Sequence, residues 1–117
     1  MLKIYTYKKC STCRKATKWL EERGIEFEER PIRETPPTST ELRTMLKARG
    51  GDLRRLFNTS SQDYRDAGLK DRLEGMSEKE AFAILHETGN LVKRPFLIGK
   101  DVAVNGFREA EWKEVLG

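Results

Sequence analysis

The stretch Leu2-Lys-Ile-Tyr-Thr-Tyr-Lys-Lys-Cys10-Ser-Thr-Cys13 decides the fold of this 117-residue chain. Apolar and polar residues alternate over residues 2–7, which predicts a β-strand. Cys10 and Cys13 follow at once, and the apolar residues behind them recur at helical spacing. A Cys-x-x-Cys pair between a strand and a helix favours thiol chemistry, because the unpaired backbone N–H groups and the helix dipole stabilise a thiolate.

The first 31 residues predict a β-α-β unit. Gly24 suits the position that ends the first helix, and residues 25–30 predict a second short strand that stops at Pro31. Two strands joined by a single crossover helix run parallel in a sheet.

The middle of the chain predicts helices only. Capping boxes at Thr38–Glu41 and Ser77–Glu80 mark the starts of two helices, and a short helix with a Ser60 cap is predicted to pass through Tyr64 and Ala67. Two strands follow over residues 95–98 and 102–104, joined as a hairpin by residues 99–101, and a helix over 108–116 ends the chain. The predicted order is therefore βαβ, a helical block, and ββα.

Charge and hydropathy exclude several classes of function. The net charge is +4, from 23 basic and 19 acidic residues that alternate along the helices, so the chain lacks the basic block typical of nucleic-acid binders. No run approaches the roughly 18–20 apolar residues of a membrane span. Lys8 and Lys9 directly follow the first apolar run, which argues against a signal peptide. We expect a cytoplasmic protein, where a close cysteine pair is more often catalytic, redox-sensing or metal-binding than structural.

The two cysteines are given distinct roles by their positions. Cys10, at the helix cap beside two lysines, is the candidate nucleophile, with an inert, partly buried thiol as the alternative. Cys13, in the first helical turn, is the candidate resolving thiol, because it can reach back to form a disulfide with Cys10. Zinc is the competing reading, but only His86 remains as a further ligand of the usual kind, so we expect no metal and no bound cofactor.

Four motifs in this order of elements resemble the family of arsenate reductases, Spx and MgsR, which has a thioredoxin/glutaredoxin-like fold. They are Cys10-Ser-Thr-Cys-Arg-Lys-Ala16, Leu53-Arg-Arg-Leu-Phe-Asn-Thr-Ser60, residues 64–69 and Lys93-Arg-Pro95. The resemblance implies one α/β domain over residues 1–117 with a mixed four-stranded sheet. Residues 1–35 and 92–117 would form its core, and residues 36–91 would be a helical insertion.

The resemblance also implies a site for an anion or substrate next to the cysteines. Arg14 matches the family's arginine four residues after the nucleophile, and Arg94-Pro95 matches an Arg-Pro pair whose proline is usually cis and lies against the active cysteine. The expected anion- and substrate-binding residues are Ser11, Thr12, Arg14, Asn58, Arg94 and Pro95. The alternatives are an exposed surface arginine at 14, a turn at residues 58–61 that caps a helix, and a proline that only starts a strand.

Three functions follow from the resemblance. The favoured one is a cytosolic thiol–disulfide oxidoreductase that is reduced by glutathione, as co-substrate, or by glutaredoxin. The second is a redox-sensing regulator of the Spx/MgsR type that binds the C-terminal domain of the RNA polymerase α subunit. The third is arsenate reductase proper, but Asn58 and Gly106 stand where arsenate reductases carry two further arginines. Arg108 is two residues out of register with the second of them, and Arg54 or Arg55 are the candidates to substitute.

Overall fold

The computed structural model describes residues 2–117, in which four strands, six α-helices and two 3-10 helices follow one another. In chain order they are β1 (Leu2–Thr6), α1 (Ser11–Glu22), β2 (Phe27–Pro31), α2 (Ser39–Ala48), a 3-10 helix (Leu53–Leu56), α3 (Gln62–Asp66), α4 (Leu69–Arg72), α5 (Glu78–Glu87), a second 3-10 helix (Gly89–Leu91), β3 (Phe96–Ile98), β4 (Ala103–Asn105) and α6 (Glu109–Leu116).

The four strands form one mixed sheet in the order β2-β1-β3-β4. β1 and β2 are parallel, with Ile4 opposite Glu29, whereas β3 is antiparallel to both β1 and β4. This is the α/β topology with a mixed four-stranded sheet that the βαβ and ββα segments predict. Within residues 2–117, none of the helices combines the length and the apolar character that crossing a membrane requires.

Each face of the sheet carries its own hydrophobic cluster, because neighbouring strand residues point to opposite sides. Ile4 and Leu97 face α1 and α6, where they pack with Trp19, Leu20 and Trp112. The opposite face is covered by the helices between β2 and β3; its cluster includes Tyr5, Ile32, Leu42, Met45, Leu56, Phe57, Leu69, Leu85 and Phe96. The helices between β2 and β3 therefore contribute one side of the core.

Several predicted boundaries are wrong by one residue, and one helix was missed. β1 ends at Thr6, and β4 begins and ends one residue later than predicted. The cap of α3 is Ser61 rather than Ser60, since Ser61 Oγ accepts from the Tyr64 amide at 3.1 Å. The missed helix, α4, has only four residues and begins after Gly68, whose φ of +63° is favourable only for glycine.

The second predicted capping box is only half formed. Ser77 Oγ accepts from the Glu80 amide at 3.1 Å, but the Glu80 carboxylate lies 3.6 Å from Arg72 of α4 instead of returning to the cap. At the end of the chain, Trp112 is fully buried, whereas Val115 of the same helix has 39% of its surface exposed. A short terminal helix of eight residues buries only the part of its face that meets the sheet.

Candidate functional site

Cys10 caps the first helix, as the sequence predicts. Its amide donates to the Tyr7 carbonyl at 2.9 Å, and extended backbone angles (φ −94°, ψ 109°) place its side chain at the start of α1. Cys10 Sγ accepts from the Cys13 amide at 3.2 Å. The helix therefore directs an N–H donor at the sulfur on which negative charge develops when the thiol loses its proton.

Cys13 occupies a different environment. Its side chain is only 2% exposed, whereas Cys10 is half-buried, and both thiols are free. Burial, and next a hydrogen bond with the Cys10 side chain, raise the pKa of Cys13 to about 12. Cys13 is thus a protonated thiol at neutral pH, and the accessible sulfur of the pair is that of Cys10.

Arg94 and Pro95 directly precede β3, the strand that is antiparallel to β1. The Arg94–Pro95 peptide bond is cis, and Pro95 is buried. Arg94 Nη1 donates to the carbonyl and side-chain oxygens of Asn90, at 3.3 and 3.1 Å. Its positive charge acts on Cys13 as a minor effect that opposes the raised pKa of that thiol.

Tyr7 and Arg33 also belong to this region, although neither is predicted as a site residue from the sequence. The guanidinium carbons of Arg94 and Arg33 lie 5.1 and 5.0 Å from the centre of the Tyr7 ring, within the range of cation–π contacts. Arg33 Nη1 also donates to the Tyr7 hydroxyl at 3.0 Å. Their position could have indicated a site, because both lie just beyond the carboxyl ends of the parallel strands β1 and β2, where the binding sites of α/β proteins are found.

Arg14, Ser11 and Thr12 line the outer rim of the first helical turn. All three are exposed. The guanidinium of Arg14 donates to the Lys8 carbonyl at 2.8 Å, so it lies along the loop that leads into Cys10. Arg14 thus flanks Cys10 while keeping donors directed to solvent.

Asn58 is brought to the chain segment that precedes Arg94. Its amide donates to the Leu91 carbonyl at 2.7 Å, and the Lys93 amide donates to Leu56 at 2.9 Å. The Asn58 carbonyl accepts from the amide and the hydroxyl of Ser61, at 3.1 and 2.9 Å. Asn58 therefore forms the predicted turn before α3, and the same turn holds it beside the approach to Arg94.

The arginine missing at position 106 has a structural explanation. Gly106 has a φ of +71°, and a Cβ atom there would lie 3.0 Å from Lys93 Cε. An arginine would need a strained left-handed backbone and the space that the lysine stem fills. Arg54 does not compensate, because its guanidinium donates to the Lys70 carbonyl at 2.9 Å in α4.

Metal ligands do not gather near the cysteines. Across residues 2–117, His, Cys, Asp and Glu side chains form no group of three or more that could hold an ion. His86 is exposed in the last turn of α5.

The relatives of this chain include proteins named as regulators. It is 44% identical to the uncharacterized protein YusI of Bacillus subtilis over 97% of this chain and 96% of YusI. Identity to the regulatory protein MgsR of Bacillus subtilis is 32%, over 94% of this chain and 86% of MgsR. Identity to the global transcriptional regulator Spx of the same organism is 29%, over 99% of this chain and 87% of Spx.

Solved structures of similar sequence share the whole fold. An ArsC-family-related protein from Bacteroides fragilis superposes with a TM-score of 0.88 at 37% identity, covering 97% of each chain. A protein from Streptococcus mutans, described as a possible arsenate reductase, gives a TM-score of 0.87 at 38% identity, covering 97% of this chain and 98% of that one. The ArsC family model matches residues 5–115. With its thioredoxin-like sheet and cysteine-capped first helix, the chain belongs to the ArsC family.

Proposed function

We propose that this chain is a cytosolic thiol–disulfide oxidoreductase in which Cys10 is the nucleophile and Cys13 the resolving thiol. The observation that carries the proposal is the asymmetry of the pair. Cys10 is accessible and its sulfur accepts a hydrogen bond from a backbone N–H of the helix, whereas Cys13 is buried and has a pKa raised to about 12 by its burial. This difference sets the order in which the two thiols react, Cys10 first and Cys13 second, because only a thiolate attacks a disulfide.

The reaction proceeds in two exchanges. The Cys10 thiolate attacks one sulfur of a substrate disulfide, a mixed disulfide forms, and the other sulfur leaves as a thiolate that takes up a proton. Cys13 then loses its proton and attacks Cys10 Sγ, which releases the second substrate thiol and leaves a Cys10–Cys13 disulfide. Two molecules of glutathione, or one glutaredoxin dithiol, reduce this disulfide and return the two electrons.

Substrate contacts are assigned to the residues around the pair. Arg94 acts electrostatically on Cys13, so its charge favours the thiolate that this residue must form in the second exchange. The guanidinium groups of Arg94 and Arg14 are donors for the carboxylates of a glutathionyl group. Ser11, Thr12 and Asn58 are proposed as neutral donors, and Pro95 as the apolar wall next to the cysteine.

Arsenate fits this site less well than a disulfide. Asn58 and Gly106 replace two arginines of arsenate reductases, and neither Arg54 nor the backbone at Gly106 restores the missing donor. Two missing charged hydrogen bonds, each contributing about 1.5–3 kcal/mol, weaken the binding of a dianion by several kcal/mol.

A coupled assay tests the proposal. Oxidation of NADPH is followed with glutathione, glutaredoxin and glutathione reductase, using either arsenate or the mixed disulfide of cysteine and glutathione as substrate. Wild type is compared with Cys10→Ser and with a control, Lys18→Ala, that alters an exposed residue of the same helix. We expect turnover of the mixed disulfide by wild type and the control, and none by Cys10→Ser. Failure of wild type to turn over either substrate, although its disulfide forms reversibly, contradicts an enzymatic role with these substrates.

A redox-sensing regulator is the second candidate. It is favoured by the whole-chain similarity to MgsR and Spx, which are named as regulators. In this case the Cys10–Cys13 disulfide would change docking on the C-terminal domain of the RNA polymerase α subunit without turnover. Calorimetric titration of that domain with reduced protein, oxidised protein and Cys10→Ser distinguishes the candidates. Binding that depends on the disulfide supports the regulator, and equal or absent binding argues against it.

A further inference from the structure

A chain of hydrogen bonds leads from Arg94 through Asn90 to Asp63 of α3. Arg94 Nη1 donates to the Asn90 carbonyl oxygen at 3.3 Å and to Asn90 Oδ1 at 3.1 Å. Asn90 Nδ2 in turn donates to Asp63 Oδ2 at 2.6 Å. Because the carboxylate engages the amide nitrogen, the amide oxygen of Asn90 is left for the guanidinium. Asp63 thereby sets the orientation of the group that holds Arg94.

The backbone on either side of Asn90 is held in place. Gly89 packs so closely against the segment after β2 that a Cβ atom there would lie 2.2 Å from the Ile32 carbonyl oxygen. The Leu91 carbonyl accepts from the Asn58 amide at 2.7 Å. The side chain of Asn90 therefore starts from a fixed point, as a residue that supports a binding group requires.

A second contact restrains the same guanidinium. The central carbon of the Arg94 guanidinium lies 5.1 Å from the centre of the Tyr7 ring, within the range of a cation–π contact. Tyr7 belongs to the loop that leads to Cys10, and its carbonyl accepts from the Cys10 amide at 2.9 Å. Asn90 and Tyr7, from distant parts of the chain, thus both restrain Arg94 beside the loop of the proposed nucleophile.

The remaining donors of Arg94 are left for a ligand. A guanidinium has five N–H donors, and Asn90 engages Nη1. Among residues 2–117, Nε and Nη2 of Arg94 find no hydrogen-bond acceptor. These two nitrogens lie on one edge of the guanidinium, and their parallel N–H groups match the two oxygens of a carboxylate.

We propose that Asn90 and Asp63 are positioning residues that hold the Arg94 guanidinium so that its Nε–Nη2 edge pairs with a carboxylate of the substrate. The inference rests on the proposed function, in which Arg94 contacts a glutathionyl group. A guanidinium that is ordered before binding does not have to be ordered by the substrate, so less binding free energy is lost. The two residues therefore contribute to substrate affinity rather than to the rate of sulfur exchange.

Heteronuclear NMR of the Arg94 side chain tests the positioning without any substrate. Arg94→Lys identifies the signals of this side chain by their absence. At a temperature at which free arginine gives one averaged Nη signal, wild type should give two, because rotation about the Nε–Cζ bond is hindered, and Asn90→Ala should give one. The control Asp66→Ala, which breaks the exposed Gln62–Asp66 hydrogen bond of α3, should match wild type. One averaged signal in wild type, or two in Asn90→Ala, overturns the proposal whether or not the protein is an enzyme.

Steady-state kinetics with the mixed disulfide of cysteine and glutathione tests the consequence for the substrate. We expect Asn90→Ala to raise KM about three- to tenfold at nearly unchanged kcat, because the ordering cost moves into the binding step. Asp63→Ala should raise KM less, and Asp63→Asn, whose side-chain oxygen still accepts, should resemble wild type. A variant that had only lost folded protein would lower kcat at unchanged KM. That pattern in Asn90→Ala, or no change in its KM, overturns the proposal.

A double variant shows whether Asn90 acts through Arg94. Added to Arg94→Ala, the substitution Asn90→Ala should raise KM no further, since no guanidinium is left to position. A further rise in KM would mean that Asn90 affects the substrate by itself, and it would overturn the assignment. Inactive wild type contradicts the proposed function instead, and the NMR signals of Arg94 then decide the positioning.

Discussion

Cys10 and Cys13 are three residues apart in the sequence, yet the start of α1 gives them opposite properties. Cys10 lies in the capping position, where the backbone has not yet entered the helix. Cys13 is the first buried residue of the apolar stripe that continues through Ala16, Trp19 and Leu20. The capping position and the stripe are both visible in the sequence, so the different environments of the two thiols could be predicted without the structure.

Alkylation rates should reveal this difference at the residue scale. In Cys13→Ala, iodoacetamide should modify Cys10 at neutral pH in the folded protein. In Cys10→Ser, modification of Cys13 should be at least about 100-fold slower, because a pKa near 12 leaves almost no thiolate and the side chain is buried. Mass spectrometry over time measures both rates, and denaturant should equalise them. Similar rates in the folded variants would contradict the burial of Cys13.

The same thiol should affect stability in alkali. From pH 9 upward the unfolded chain loses the Cys13 proton, but the folded protein retains it, since burial raises its pKa from 9.0 to about 12. Unfolding then releases a proton, so the free energy of unfolding falls by up to about 1.4 kcal/mol per pH unit through this residue. Urea unfolding at pH 8 and pH 10.5, with a phosphine reductant, should show wild type losing about 2 kcal/mol more than Cys13→Ala. Equal losses of stability in wild type and Cys13→Ala would contradict the raised pKa of Cys13.

Other residues of the site could not be found in this way. Tyr7 and Arg33 meet through a contact between segments that follow two different strands, and Arg94 reaches the same ring from beyond the insertion. Sequence periodicity describes which residues share a face of one element, not which elements come together. The cation–π contacts depend on the parallel pairing of β1 with β2 and on the packing of Gly89 against the backbone at Arg33.

At the scale of elements, polar side chains connect pieces that the sequence shows separately. Glu41 completes the predicted capping box of α2, accepting from the Thr38 amide at 3.0 Å. It also accepts from the Tyr5 hydroxyl at 2.6 Å and Lys3 Nζ at 2.9 Å, so it anchors α2 to β1. Burial alone would raise the pKa of Glu41, but the hydrogen bonds from Tyr5, Thr38 and Lys3 outweigh it and the pKa is lowered. The capping box could be predicted from the sequence, whereas the connection of Glu41 to β1 is visible only in the folded structure.

The Arg49–Glu111 pair, which joins α2 to α6, should be the ion pair that matters for stability. Glu111→Gln leaves a guanidinium that is 8% exposed without its counter-charge, and we expect a loss of about 2 kcal/mol or more in the free energy of unfolding. The matched control is Glu78→Gln, which breaks the exposed pair with Arg43 (47% and 61% exposed) and should cost less than about 1 kcal/mol. Urea titrations at pH 7 measure both.

The pH dependence of the difference in stability between wild type and Glu111→Gln provides an internal check. The hydrogen bond with Arg49 holds the pKa of Glu111 below its ordinary value of 4.5, with burial as a weaker opposing effect. The stabilisation by the carboxylate is therefore complete at neutral pH and is lost as the pH falls through the lowered pKa. Wild type and Glu111→Gln should converge in stability as the pH falls below that lowered pKa. A gap that stays constant with pH would assign the effect to packing rather than to charge.

At the scale of the molecule, the sheet is the boundary between two cores. Alternation along the strands predicts that each has two faces, and the structure buries both, one under α1 and α6 and the other under the insertion. The family resemblance predicts residues 36–91 as an insertion into a thioredoxin-like core, but no sequence pattern says whether these helices form an independent layer. In the structure Tyr5 and Phe96 pack among insertion residues, so removing that layer would expose an apolar face of the sheet.

We expect the two cores to unfold as one cooperative unit. Leu85 of α5 and Leu20 of α1 are both fully buried, in the insertion core and the opposite core respectively. Both tryptophans, Trp19 and Trp112, lie in the core that contains Leu20, so their fluorescence reports on that side alone. Leu85→Ala and Leu20→Ala should each lower the stability seen by fluorescence, by about 2–5 kcal/mol, in step with circular dichroism.

The variant in the insertion core is the decisive one, because its cavity is across the sheet from the fluorescent reporters. If the insertion were a separate folding unit, Leu85→Ala would shift the dichroism signal of its helices and leave the tryptophan transition unchanged. Val115→Ala, at a side chain that is 39% exposed, is the control and should change stability by less than about 0.5 kcal/mol. If Leu85→Ala shifts the fluorescence and dichroism transitions together, the sheet transmits the loss of packing from one face to the other. The insertion then stabilises the cysteine-bearing helix α1 without contacting its buried tryptophan.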